Sequence, residues 1–100
     1  MGFFAKLFGR RQTDDLQTQE IGRVDTYFAK VGVVAVKLKR KLEVGEEILV
    51  RGHTTDFVQR VKSIQIQHES VDVACRGAEV GIKVRRRCRR GDRVFRVLEA

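Results

Sequence analysis

The sequence predicts an all-β protein, a small six-stranded closed antiparallel barrel that begins near Ile21. Three observations predict this fold class. From Ile21 onward most apolar residues recur at every second position, glycines separate the apolar runs, and 100 residues suffice for one domain. Closure of the sheet is favoured because a closed barrel has no exposed edges that could pair with other chains.

Six short strands account for the apolar runs. A strand that contains Tyr27 and Phe28 is followed by runs over residues 31–38, 47–51, 57–68, 80–84 and 93–98. Inside 57–68 the period slips by one residue at Lys62-Ser63, which predicts a β-bulge. Residues 71–76 are the exception, where a single helical turn is possible. Four glycines between runs are predicted at turns that need a positive φ: Gly45, Gly52, Gly77 and Gly91.

Residues 1–20 are predicted to precede the barrel as a separate amphipathic segment and polar linker. Four apolar residues at helical spacing form one stripe of a short helix: Phe3, Phe4, Leu7 and Phe8. Basic residues flank this stripe, and residues 12–20 are polar. Three roles remain open for the stripe: docking on a protein partner, contact with a membrane surface, or packing back onto the barrel.

The positive charge is concentrated near the end of the chain. The formal net charge is +8, and residues 83–96 hold eight basic residues and one acidic residue, Asp92. Guanidinium groups bind phosphate oxygens in a bidentate manner. This pattern predicts an RNA-binding cluster, with a solvated basic strand edge as the alternative. The candidate RNA-binding residues are Lys83, Arg85, Arg86, Arg87, Arg89, Arg90 and Arg93.

No pattern in the sequence predicts catalysis, a cofactor or a metal site. His53, Thr54 and Asp56 are near neighbours in the chain and are better explained as a hairpin turn than as a triad. The histidines and cysteines lack zinc-ligand spacing. Cys75 and Cys88 are predicted to be reduced thiols of a cytoplasmic protein, and the arginines around Cys88 would favour its thiolate if it were exposed.

Several motifs together resemble known families. Residues 31–52, the stretch ACRGAEVGI at 74–82 and RGDRV at 90–94 resemble the second, β-barrel domain of elongation factor Tu-type translational GTPases. The motif GHTTDF at 52–57 resembles translation elongation factor-like proteins and the C-terminal barrel of U32 peptidase-family proteins. The resemblance implies a barrel of the translation-protein type that docks on transfer or ribosomal RNA. No phosphate-binding G-x-x-x-x-G-K-[ST] motif is present, so GTPase activity is not expected.

The functional expectation from the sequence is therefore a non-catalytic module, not an enzyme, that is associated with RNA or the ribosome in the cytoplasm. Its partner would be transfer or ribosomal RNA, bound through the arginine cluster. The alternative is a protein-interaction or membrane-peripheral adaptor that docks through the N-terminal Phe-rich helix. Neither a cofactor nor a small-molecule substrate is predicted.

Overall fold

The computed structural model describes residues 17–99, with the side chains of 17–98. These residues form ten strands and no helix, which confirms the all-β prediction. Among them there is accordingly no helix that could cross a membrane. The strands are β1 (Gln17–Phe28), β2 (Val33–Leu38), β3 (Leu42–Glu43), β4 (Glu47–Arg51), β5 (Asp56–Arg60), β6 (Ile64–Ile66), β7 (Glu69–Val71), β8 (Val73–Ala74), β9 (Glu79–Lys83) and β10 (Arg93–Glu99).

The predicted closed six-stranded barrel is wrong in its closure and in its number of strands. Eight strands form one antiparallel sheet in the order β5-β4-β10-β1-β2-β9-β6-β7, and β3 pairs with β8 in a second, two-stranded sheet. The large sheet therefore has two edges, β5 and β7, with no ladder of backbone hydrogen bonds between them in the described chain. The predicted N-terminal helix lies outside the described residues.

Side chains bridge the gap beside β5. The Gln59 amide nitrogen donates to the Lys83 carbonyl at 2.8 Å, and its amide oxygen accepts from the Arg85 backbone amide at 3.0 Å. The Arg85 guanidinium donates to the Val58 carbonyl at 2.8 Å. These bonds hold β5 near the end of β9 in place of strand pairing. Period-two spacing in the sequence indicates strands but carries no information on which edges pair.

Two local predictions differ from the structure. The bulge at Lys62-Ser63 is a break, since β5 ends before it and β6 begins after it, and the two strands pair with β4 and β9 respectively. The helical turn at 71–76 is wrong, because β8 lies there and pairs with β3. In addition, residues 17–20 of the predicted linker are the first part of β1, where they pair with β10.

The core lies on the inner face of the large sheet, against the small sheet. Alternate residues of each long strand point inward, which gives β9 its pattern of buried Val80 and Ile82 between exposed Glu79 and Lys83. The fully buried side chains of this cluster are Ile21, Val34, Val36, Leu38, Leu42, Ile48, Val50, Val61, Ile64, Ile82 and Val94. The outer faces of β2 and β9 are only partly covered, and a groove lies on them.

Candidate functional site

An open groove of about 940 Å³ lies on the outer face of the sheet where β2, β9 and β6 meet. One wall is the β1–β2 turn with Phe28 and Val31, and the opposite wall is the β6–β7 turn with Gln67 and His68. Gly81 of β9 lies in the floor, where a Cβ would come within 3.3 Å of Val33 Cγ1. A side chain at position 81 would therefore fill part of the groove.

The groove opens because β6 leaves its neighbour after two residues. β6 is three residues long, and it pairs with β9 only at Ile64 with Ile82 and at Gln65 with Gly81. All three residues of β6 pair with β7, and Ile66 pairs with β7 alone. The strand pair thus splays apart along the first half of β9, and the space between β6 and β9 opens into the groove.

The backbone of Glu79 faces this space. The Leu38 amide donates to the Ala78 carbonyl at 2.9 Å, and the Val84 amide donates to the Gly32 carbonyl at 2.9 Å. In an antiparallel ladder, alternate residues direct both backbone groups to the same neighbour. The even-numbered residues of β9 therefore bond to β2, and odd-numbered Glu79 directs its amide and carbonyl toward β6, which has already diverged.

Apolar side chains line the wall on the β1–β2 side. Phe28 is 49% exposed and Val31 is 56% exposed, and both are among the most exposed large apolar residues of the described chain. Across from them, Ile66 and Ala78 are half-buried against the core. A contiguous apolar surface with polar groups at its rim is typical of a binding site.

The β6–β7 turn holds the other wall in an unfavourable backbone conformation. Ile66 pairs with Glu69, so the hairpin loop consists of two residues, Gln67 and His68, with φ of 51° and 69°. Two positive φ values identify a type I′ turn, which favours Asn-Gly. Neither position holds the favoured Asn or Gly, yet both side chains are exposed and line the groove. Strain of this kind is concentrated at functional sites in proteins.

The predicted arginine cluster is exposed but not uniform. Three of its members are bonded to oxygens of the same fold: Lys83 Nζ donates to the Val31 carbonyl, Arg85 donates to Val58, and Arg89 Nε donates to Thr54 Oγ1 at 2.9 Å. The Arg85 guanidinium also lies 5.8 Å from the centre of the Phe57 ring. The other four form no side-chain hydrogen bond or ion pair within residues 17–99: Arg86, Arg87, Arg90 and Arg93.

The loop that carries this cluster is held by a buried carboxylate. Asp92 is 3% exposed, and its Oδ2 accepts from the Arg89 amide at 2.8 Å. Gly52 lies against the same carboxylate so closely that a Cβ at this position would overlap Asp92 Oδ1. Gly91 has the predicted positive φ, at 90°, and its amide donates to the Val24 carbonyl. This part of the GHTTDF and RGDRV motifs therefore fixes the loop against β1 and β4.

Arg96, the last basic residue of the charged stretch, is a structural residue. Its guanidinium donates to Gln19 Oε1 at 2.8 Å and lies 3.2 Å from the Glu46 carboxylate. It also donates to the Lys41 carbonyl. The side chain joins β10 to β1 and to the connections on both sides of β3.

The cysteines and the candidate turn residues do not form a reactive group. Cys88 is buried, and burial together with the nearby Asp92 charge raises the pKa of its thiol to about 11, so the thiol is protonated at neutral pH. Thr54 accepts from Arg89, and Asp56 lies 3.8 Å from the Arg51 guanidinium. Within the described residues no three His, Cys, Asp or Glu side chains are placed to hold a metal ion.

The groove residues were not predicted as a site. One signal for them is present in the sequence: apolar Phe28 stands at the end of a strand, just before the turn that carries Val31. The predicted docking residues Phe3, Phe4, Leu7 and Phe8 lie outside the described part of the chain.

Comparisons with known proteins find relatives that are named as a protease and collagenases. The chain is 43% identical over 81 residues to an uncharacterized protease of Methanocaldococcus jannaschii and 29% identical over 82 residues to a collagenase of Porphyromonas gingivalis, each match covering 80% of this chain. The chain spans about a fifth of the length of these relatives, 20% and 23% respectively. No protein-family model matches the chain.

These relatives correct the functional prediction. A non-catalytic RNA- or ribosome-associated module is contradicted, as is the alternative adaptor, because the relatives are named as a protease and collagenases. The same names contradict the prediction that the chain is not an enzyme. The resemblance to elongation factor Tu-type barrels and the assignment to translation find no support, whereas the resemblance to the U32 peptidase-family domain does.

Two solved structures share the fold. Both are of the C-terminal domain of a U32 peptidase-family protein of Geobacillus thermoleovorans, each with a TM-score of 0.73. One is 22% identical and covers 76% of this chain and 96% of the domain; the other is 20% identical and covers 87% and 97%. The chain therefore has the fold of the C-terminal domain of a U32 peptidase-family protein.

Proposed function

We propose that this domain binds an extended segment of a polypeptide substrate in the outer-face groove, as the substrate-recognition part of a peptidase-family protein. The observation that carries the proposal is the groove itself, which is open, partly apolar and formed where β6 leaves β9. Its volume of about 940 Å³ lies within the range of ligand sites in proteins, roughly 300–1,000 Å³.

An extended chain fits the chemistry of the floor. Glu79 directs its backbone amide and carbonyl into the groove, and a peptide beside β9 would bond to them as an added strand. Alternate side chains of this added strand would point to the outer face of the sheet, the face that carries the exposed Phe28 and Val31. Main-chain bonds of this type supply affinity for many sequences, which suits recognition of varied substrates.

The relatives agree with a polypeptide ligand. Proteases and collagenases act on polypeptide chains, and the matched segment is about a fifth of each relative. A segment of this size beside a larger remainder suits a domain that holds substrate. Binding at the groove would raise the local concentration of the polypeptide near the rest of such a protein.

A matched pair of valine variants tests the proposal. Val31→Ser changes an exposed valine of the groove, and Val73→Ser changes a valine of β8 that is 44% exposed and does not line the groove. Binding of fluorescein-labelled gelatin and casein peptides is measured by fluorescence anisotropy. Loss of about half of the burial energy of a valine weakens binding about fivefold in Val31→Ser, and Val73→Ser leaves it unchanged.

Two results would overturn the proposal. One is the absence of saturable binding of either peptide set at millimolar concentration. The other is an equal loss of affinity in both valine variants. Such a loss would not depend on the groove and would indicate non-specific adhesion of the peptides to exposed apolar residues.

A further inference from the structure

The register of the large sheet places four cations side by side on its outer face. Lys37 of β2 is the Cα partner of Arg23 on β1, Arg23 is the partner of Arg93 on β10, and Arg93 is the partner of Arg51 on β4. We name these four residues the cation row. Only Arg93 belongs to the cluster that the sequence predicted, since the other three are distant from it in the chain.

Such a row is unfavourable in the isolated domain. Directly opposed side chains on neighbouring strands lie about 5 Å apart, where like charges repel. Arg51 is near Asp56 and Arg23 is near Glu20, each at 3.8 Å. The side chain of Arg93, in the interior of the row with an arginine on either side, forms no hydrogen bond or ion pair within residues 17–99. An external anion would relieve this repulsion.

Carboxylates end the row on both sides. Glu79 is the Cα partner of Lys37, and Asp56 is the partner of Arg51. The cations thus span three inter-strand steps, about 14 Å at 4.7–4.9 Å a step. An extended polypeptide covers this distance in about four residues. A long polyanion such as a nucleic acid would continue onto the terminal carboxylates, so the row suits a short acidic segment.

The row and the groove are continuous. Glu79 lines the groove and is also the Cα partner of Lys37, the residue at that end of the row, and Lys37 follows Ala35 of the groove by two positions on the same face of β2. We infer that the cation row binds an acidic segment of the same polypeptide whose apolar segment lies in the groove. The inference rests on the proposed function for its ligand, and it specifies a substrate in which a short acidic run adjoins an apolar one.

Two synthetic peptides and two double variants test the inference. The peptides share an apolar segment and end either in four glutamates, one for each cation of the row, or in four serines. Arg23→Gln/Arg93→Gln removes two charges of the row, and Arg76→Gln/Arg86→Gln removes two exposed charges outside it. Anisotropy titrations of the full chain are made at low and high salt.

The glutamate peptide is expected to bind more tightly than the serine peptide, by about tenfold at low salt and by less at high salt. Arg23→Gln/Arg93→Gln should abolish this difference and leave the affinity for the serine peptide unchanged, and Arg76→Gln/Arg86→Gln should preserve it. Equal affinity for both peptides, or an equal effect of the two double variants, would overturn the inference alone.

Failure of the proposed function has a different result, because then neither peptide binds and the Val31→Ser variant has no binding to lose. A third arm distinguishes nucleic acid from peptide. A single-stranded oligonucleotide with four phosphates that binds more tightly than the glutamate peptide, and that loses this affinity in Arg23→Gln/Arg93→Gln, would overturn the assignment of a polypeptide ligand.

Discussion

Replacing His68 with glycine is expected to stabilise the domain. At φ 69° a non-glycine residue has a left-handed backbone that costs about 1–2 kcal/mol. Glycine removes this cost, but its greater freedom in the unfolded chain offsets roughly 0.5–1 kcal/mol of the gain. The net expectation is a free energy of unfolding higher by about 0.5–1 kcal/mol, which raises the unfolding midpoint by roughly 2–8 °C for a domain of this size.

His53→Gly is the matched control. His53 is exposed in the β4–β5 turn and is not among the residues with positive φ. At position 53, glycine relieves no backbone strain and only adds conformational freedom to the unfolded chain. His53→Gly should therefore lower the free energy of unfolding by roughly 0.5–1 kcal/mol. Thermal and urea unfolding of both variants supply the measurement. Equal destabilisation of His68→Gly and His53→Gly would refute the strain at the β6–β7 turn.

The same variant links strain to function. The imidazole of His68 lines the groove, so His68→Gly should bind the labelled peptides several-fold more weakly even though the domain is more stable. A gain in stability with unchanged binding would show that the turn is strained for a reason other than contact with the ligand. The prediction thus separates the backbone effect from the side-chain effect in one variant.

Three further predictions concern the loop and the charged surface. Gly52→Ala should lower the free energy of unfolding by more than about 2 kcal/mol in urea titrations, because the new methyl group would overlap the buried carboxylate of Asp92. Arg93→Gln should raise it by a few tenths of a kcal/mol, because repulsion within the row falls, and the gain should disappear at high salt. The pKa of Cys88 is raised from 9.0 to about 11 in the folded state, so the folded protein holds the thiol proton more tightly than the unfolded chain does. The contribution of this thiol to the free energy of unfolding should therefore be constant below pH 9 and should fall between pH 9 and 11. Cys88→Ala should lose that part of the pH dependence, and Cys75→Ala should keep it.

Alternation of apolar residues was sufficient to predict the long strands. β4 spans residues 47–51 as predicted, and β2, β9 and β10 lie within one or two residues of their predicted ends. The physical basis is local, because side chains on one face of each strand enter the core. Three other short strands were not predicted: β3, β7 and β8. Each has only two or three residues, which is too few for an alternating pattern of apolar residues to be recognised.

Strand pairing was beyond the reach of the same reasoning. Closure was expected because exposed strand edges are unfavourable. Instead, the side chain of Gln59 on β5 bonds to the backbone of Lys83 and Arg85, and no pattern of apolar residues reveals such a contact. The groove depends on the point at which β6 leaves β9, and the cation row depends on the register of three strand pairings. Arg23, Arg51 and Arg93 are unrelated in the sequence and become neighbours only through that register.

Binding of an extended polypeptide in the groove is the central claim, and amide chemical-shift mapping tests it most directly. Titration of the ¹⁵N-labelled chain with an unlabelled gelatin peptide is expected to shift the amides of Phe28, Val31, His68 and Glu79, with little change in β8. Shifts that are confined to β8 and to residues 85–91, or spectra that do not change at millimolar peptide, would contradict it.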